Sequence, residues 1–192
     1  MNKAEFLRQF HHIKQIKNEM DFPLKEPGRP AAVLIPILEH ADELTVLFTV
    51  RSMHLKHHGG QVSFPGGKQE PSDRSLIQTA LRESYEEVGI LPQSVEIVGN
   101  LPRFRTISLY EVIPYIGFIN TPSQLILDKN EVHSTFEVPL SYLLDQRNHF
   151  IHWASRSNKQ FPIYFIPWKQ HNIWGATAAF VRNLSNHFLL KN

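Results

Sequence analysis

The chain has 192 residues, of which 42% are hydrophobic and 20% charged, enough for one domain with a substantial core. Twenty Lys and Arg against 18 Asp and Glu leave a formal charge of +2, which gives no support to nucleic-acid binding, and the lack of cysteine excludes disulfides, thiol nucleophiles and thiolate metal sites. No apolar run reaches the length of a membrane span, and the first twenty residues lack the apolar centre of a signal peptide, so a single cytoplasmic domain over 1–192 is expected.

In chain order, residues 3–20 read as a polar helix with Phe6, Phe10, Ile13 and Ile16 on one stripe, an N-terminal extension (1–22) that docks on the domain. A Pro-Gly linker over 23–30 follows, then two strands over 31–38 and 44–51 joined by the turn His40-Ala41-Asp42-Glu43. Past a glycine-rich loop, an amphipathic helix should present Ile77, Ala80, Leu81, Ser84 and Val88 to a core and stop at Gly89. Pro71-Ser72-Asp73 offers turn and N-cap residues ahead of it. Strands are expected over 95–101 and 110–119, with Arg103 and Arg105 in the loop between them. Residues 136–140 read as strand and 141–144 as a short helix. A hairpin spans 150–154 and 161–166, and a closing helix over 174–190 turns Ala178, Val181, Leu184 and Phe188 inward. Strands around two long helices indicate an α/β fold, a mixed sheet with helices on both faces.

The chemistry is concentrated in the loop and helix of 59–90. Arg82-Glu83-Ser84-Tyr85-Glu86-Glu87-Val88-Gly89 puts three carboxylates into five residues at the C-terminal end of a helix. Residues three and four apart are helical neighbours, so these charges repel, and the negative pole of the helix dipole adds to the cost. A solvated acidic edge explains any two such glutamates. Three of them behind the loop Pro65-Gly66-Gly67, whose glycines let backbone approach a ligand closely, point to hard oxygen ligands for Mg²⁺ or Mn²⁺.

Residues 67–90 resemble the Nudix box, in which Gly, five residues, Glu and seven residues precede Arg-Glu-apolar-any-Glu-Glu-any-Gly-apolar. The Arg82–Glu87 half matches, with Ser84 in the apolar slot. The first half departs from the pattern, with Asp73 for Glu and eight intervening residues for seven. That departure, with Leu47-Phe48-Thr49-Val50-Arg51-Ser52 and Leu55-Lys56-His57-His58-Gly59-Gly60-Gln61-Val62-Ser63-Phe64-Pro65-Gly66-Gly67 ahead of it, is similar to the coenzyme A pyrophosphatases of that superfamily. Lys56 stands where that subgroup usually has Arg, which keeps the charge and loses a bidentate fork.

The resemblance implies an α/β/α sandwich and metal-dependent cleavage of the diphosphate of coenzyme A or its thioesters. It also implies metal ligands Glu83, Glu86 and Glu87 with the Gly67 carbonyl, and Arg82 holding a box carboxylate in place. Glu131 is the first candidate for general base and Glu111 the second; Arg51, Lys56, His58 and Gln61 are the candidate substrate contacts, with Arg103 and Arg105 behind them. Phe64 reads as packing. Two other readings stay open: hydrolysis of ADP-ribose, a dinucleotide or another nucleoside diphosphate derivative, and a Nudix module that binds a nucleotide without cleaving it. A homodimer is open too.

Overall fold

The computed structural model describes residues 1–12, 18–23, 26–55, 58–120, 125–156 and 159–189. Its centre is β1 (Arg29–Glu39), an eleven-residue strand buried on both faces. It pairs antiparallel with β2 (Leu44–Arg51) through a tight turn, in which the His40 amide donates to the Glu43 carbonyl at 3.0 Å. On its other side it pairs in parallel with β7 (Tyr110–Ile119) over ten residues, from Arg29 opposite Tyr110 to Leu38 opposite Ile119. β5 (Val95–Asn100) adds beyond β7, and β8 (Val132–Pro139) and the short β3 (Val62–Ser63) pair with β2. The short β4 (Gly66–Lys68) runs antiparallel to the start of β1, and β6 (Phe104–Arg105) lies against β7. This is the mixed sheet expected of the sequence.

Side chains alternate across β1 with the two-residue period of a strand. Ala32 and Leu34 face Ala80 of α2 (Leu76–Val88), while Ile35 and Ile37 face the larger cluster of Phe6, Phe48, Phe118, Val181 and Leu184. That second face is covered by α1 (Lys3–His12), α3 (Leu140–Leu144) and α4 (Gly175–Leu189). Helices therefore lie on both faces of the sheet, an α/β/α sandwich.

A separate three-stranded sheet of β9 (Phe150–Arg156), β10 (Lys159–Trp168) and β11 (His171–Trp174) leads into α4. The first two of these strands are legible in the sequence, and the third is not. Arg105, expected in a loop with Arg103, lies instead with Phe104 in a short strand, paired with Glu111 and Val112. The expected helix over 3–20 ends, as described, at His12; Ile13 and Ile16 lie outside the described residues, and 18–20 are not helical. Among the described residues no helix is long and apolar enough to cross a membrane.

Two buried histidines tie the helical layer together. The His149 Nε2 donates to the Leu143 carbonyl at 2.9 Å, and His187 packs its ring 4.8 Å from that of Phe10, with neither ring nitrogen hydrogen-bonded. Burial pushes both rings down to about 4, and the Arg182 guanidinium adds to the shift at His149. An unfolded histidine takes its proton near pH 6.5, so stability from these rings is complete above that pH and is lost as pH falls toward 4. His187→Phe should therefore show a smaller drop in thermal midpoint between pH 7 and pH 5 than the parent; equal drops would rule His187 out as a source of acid lability.

Candidate active site

The geometry of α2 follows from its ends. Ser75 caps the N-terminus, its hydroxyl accepting from the Gln78 amide at 3.3 Å, so the cap lies two residues beyond Asp73. At the other end Gly89 adopts φ 75°, and the Gly89 and Ile90 amides close onto the Tyr85 and Ser84 carbonyls. Ala80, Ser84 and Val88 are buried as expected, whereas Ile77 is 38% exposed. The inward arc is instead shared by Thr79 and by Glu87, a glutamate only 3% exposed.

Asp73, freed from capping, turns inward. Its carboxylate takes Arg82 Nε at 3.0 Å on one oxygen and Arg82 Nη2 at 2.9 Å on the other, and also accepts from the Thr79 hydroxyl and the Glu70 amide. The Arg82 guanidinium bonded to it, with these further donors, holds the Asp73 carboxyl well below the usual carboxylate range. The remaining Arg82 nitrogen, Nη1, reaches Glu83 and Glu86, each at 2.9 Å, and Nη2 also donates to the Lys68 carbonyl at 3.3 Å. Arg82 is thus a brace between the loop and two of the three box glutamates.

The acidic groups look into one cavity of about 500 Å³ between β4, α2 and the loop before β8. Glu87 and Glu83 form its floor, Glu86 its rim with a side chain 55% exposed, and Glu131 enters from the loop opposite. Gly67 lines the same cavity so closely against Glu83 that a Cβ there would stand 2.5 Å from the Glu83 Oε1 and would push that carboxylate aside. Glu87 accepts from the Gly66 amide at 3.3 Å and has Arg51 Nη1 at 3.7 Å. These contacts undercompensate a buried charge. Burial, against the opposing pull of Arg51 and with the charges of Glu83 and Glu131 nearby, pushes the Glu87 carboxyl up to about 8. Burial is also the main cause of a rise at Glu83, opposed by Arg82 and reinforced by Glu86 and Glu131.

Such a set of hard, crowded and poorly neutralised oxygens fits a divalent cation, which would remove the repulsion. In the side-chain positions described, Arg82 draws Glu83 and Glu86 to itself, and no three acidic or imidazole groups among the described residues meet at one point. Arg82 takes one oxygen of each, which leaves the second carboxylate oxygen of Glu83 and of Glu86 to turn toward a cation.

Arg51 lines the acidic cavity and also a second, largely apolar chamber, where His58 and Gln61 stand. His58, at φ 62°, bonds through Nδ1 to the Gln61 Oε1 at 2.8 Å. Lys56 lies outside the described residues. Glu111 is outside the acidic cavity's lining and pairs with Arg103 at 2.8 Å, and Arg105 is forked onto Asp21 at 2.8 and 3.1 Å. Phe64 is packing, its ring 4.7 Å from that of Phe48.

The NUDIX domain family matches residues 28–157. The uncharacterized Nudix hydrolase NudL of Photorhabdus laumondii is 41% identical over 162 residues, 84% of this chain and 86% of that protein. Its counterpart of the same name in Shigella flexneri is 37% identical over 182 residues, 94% and 92% of the two chains. The chain belongs to the Nudix family.

Two solved Nudix structures share the fold. The NUDIX hydrolase of Alicyclobacillus acidocaldarius aligns with TM-score 0.56 at 18% identity, over 84% of this chain and 93% of that one. A MutT/nudix family protein of Enterococcus faecalis gives 0.54 at 17% identity, over 98% and 68%. As a Nudix hydrolase the protein acts on a diphosphate bond of a small nucleotide, with a divalent metal ion. Within the Nudix box, Asp73 reaches Arg82 despite the additional residue, from a turn in which its amide donates to the Glu70 carbonyl at 2.9 Å. Thr106, Ser108 and Tyr110 line both cavities and were not singled out from the sequence, where nothing in their spacing marks them.

Proposed function

We propose that this Nudix hydrolase cleaves the diphosphate of coenzyme A or its thioesters, giving adenosine 3′,5′-bisphosphate and 4′-phosphopantetheine or its acylated form. The observation that carries the reading is the position of Arg51, a cation at the junction of an acidic cavity and an apolar chamber. A diphosphate bearing a polar nucleotide on one side and a long, weakly polar arm on the other suits that pair of spaces. The motif from Arg51 to Gly67 supports the same substrate.

Glu83, Glu86 and Glu87, with the Gly67 carbonyl, would hold Mg²⁺ or Mn²⁺. When bound, such a cation neutralises phosphate oxygens and makes a neighbouring water more acidic. Arg82 orients Glu83 and Glu86 from behind, so that they are aimed without being buried unpaired. Arg51 grips the diphosphate, with His58, Gln61 and Lys56 as the further substrate contacts. Glu131, across the cavity from Glu83, takes a proton from the attacking water. The water oxygen bonds to one phosphorus, the bridging P–O bond breaks, and its electron pair leaves with the departing phosphate.

Incubation of the protein with coenzyme A and Mg²⁺ or Mn²⁺, followed by mass analysis, should show both products, and a chelator should abolish them. Turnover of ADP-ribose or a dinucleotide without cleavage of coenzyme A would leave the Nudix chemistry and refute the substrate. Inertness toward all of them would favour a nucleotide-binding module.

A further inference from the structure

The apolar chamber is about 550 Å³, within the range of small-molecule sites, and its wall is built from segments distant in sequence. Phe22 and Phe161, with rings 5.4 Å apart, stand beside Phe104, Ile163 and Trp174, and Ile107 lies at the chamber while remaining 61% exposed. Thr106, Ser108 and Tyr110 join Arg51 as the wall it shares with the acidic cavity.

The polar groups of that wall are turned onto one another. Arg105 forks onto Asp21, the Thr177 hydroxyl donates to the Val62 carbonyl at 3.2 Å, and Thr106 and Ser108 bond hydroxyl to hydroxyl at 3.0 Å. His58 is engaged with Gln61. An adenine or a 3′-phosphate placed there would be stripped of water and offered few partners, a costly exchange. An aliphatic chain has no hydrogen bonds to give up on entering and gains the burial of its methylenes, which outweighs the ordering of its torsions.

Resting on the coenzyme A reading above, we propose that this chamber receives the acylated arm of a coenzyme A thioester, so that the enzyme selects fatty acyl thioesters over the free thiol. The nucleotide then lies on the acidic side of Arg51, and the diphosphate spans the shared wall. Each additional methylene that is fully buried favours the thioester by up to about fourfold, so burial of only two of them already separates the substrates by about tenfold or more.

The test is kcat/KM of the full chain with Mg²⁺ for coenzyme A, butanoyl-coenzyme A and octanoyl-coenzyme A, with ADP-ribose as a reference. Octanoyl-coenzyme A should exceed the free thiol by about tenfold or more, chiefly through KM, with the butanoyl thioester between them. Ala154→Phe, which puts an aromatic ring into the chamber from β9, should bring the octanoyl-to-free ratio close to one; Ile163→Trp on β10 gives a second obstruction. Thermal midpoints check that both variants fold, and the substrate profile of the unmodified enzyme stands without them. Equal kcat/KM for free and octanoyl-coenzyme A would overturn the chamber's role and leave the coenzyme A reading in place. An unchanged ratio in both folded variants would also overturn it. Turnover of ADP-ribose alone would overturn both.

Discussion

Glu87→Gln is expected to lower kcat for diphosphate hydrolysis on the order of 10²-fold or more, and to raise the thermal midpoint of the metal-free protein. The first effect follows from removing a charged oxygen proposed to hold the cation that stabilises the transition state. The second follows from burial: Glu87 is 3% exposed, with Arg51 no closer than 3.7 Å and one hydrogen bond of 3.3 Å. Its carboxyl is raised to about 8 from an ordinary 4.5, so whatever stability it contributes is present below 4.5 and is lost as pH rises through 8. The advantage of Glu87→Gln without metal should therefore widen from pH 5 to pH 8, a sign opposite to that of the two buried histidines. Saturating Mg²⁺ should stabilise the parent more than the variant. Thermal melts with chelator and with Mg²⁺, alongside steady-state rates, test all three points. A variant that lost neither activity nor metal-dependent stabilisation would remove Glu87 from the metal site.

Arg82→Ala should be the most damaging single change to stability outside the apolar core. It strips the partner from Asp73, whose side chain is 1% exposed, and leaves Glu83 and Glu86 to repel each other unbraced. Breaking a buried pair from one side costs about 3–5 kcal/mol, and about 2–4 kcal/mol is expected here because Arg82 is itself 19% exposed along the cavity. For a chain of this size that lowers the melting midpoint by roughly 5–15 °C. Asp73→Asn in the Arg82→Ala background should recover part of the loss, because the orphaned charge disappears. A double-mutant cycle by denaturant unfolding measures the coupling. Additive losses would mean that the two side chains do not act as a pair. Arg82→Lys should fall between, since an ammonium cannot reproduce the fork onto Asp73 and the second fork onto Glu83 and Glu86.

The long elements were legible because their signals are local. The continuous apolar runs of β1 and β2, the stripe of α2 and the glycine that ends it are each decided within about a dozen residues. The acidic cluster was legible for the same reason, since Glu83, Glu86 and Glu87 are neighbours on one helix. The sequence could not show that the three differ so much in surroundings, with Glu87 buried, Glu83 partly covered and Glu86 at the rim. That difference is set by β4, a three-residue strand too short to carry a pattern, which lies against α2 and β1. Ile77 was misplaced because a helical wheel fixes relative angles only, and the packing of Ala32 and Leu34 against Ala80 rotates it outward. Asp73 illustrates the limit most clearly. Its spacing departs from the box, and only the fold brings its carboxylate to Arg82. The apolar chamber, assembled from separate stretches between Met20 and Thr177, has no local signature at all.

The parallel pairing of β1 with β7 sets an order on how the chain can mature. β1 finds β2 across a four-residue turn, but its other edge waits for a partner that begins about seventy residues after it ends. On the ribosome, the helix bearing Glu83, Glu86 and Glu87 emerges after β1 and β4, on which it packs, but before β7 and the Glu131 loop. The acidic face must stay in water through this interval, and its mutual repulsion then discourages premature collapse around it. Long-range closure of this kind is slow compared with that of helical bundles. Charge beside an apolar stripe opposes aggregation of an unfinished chain, and the three glutamates place such charge on α2.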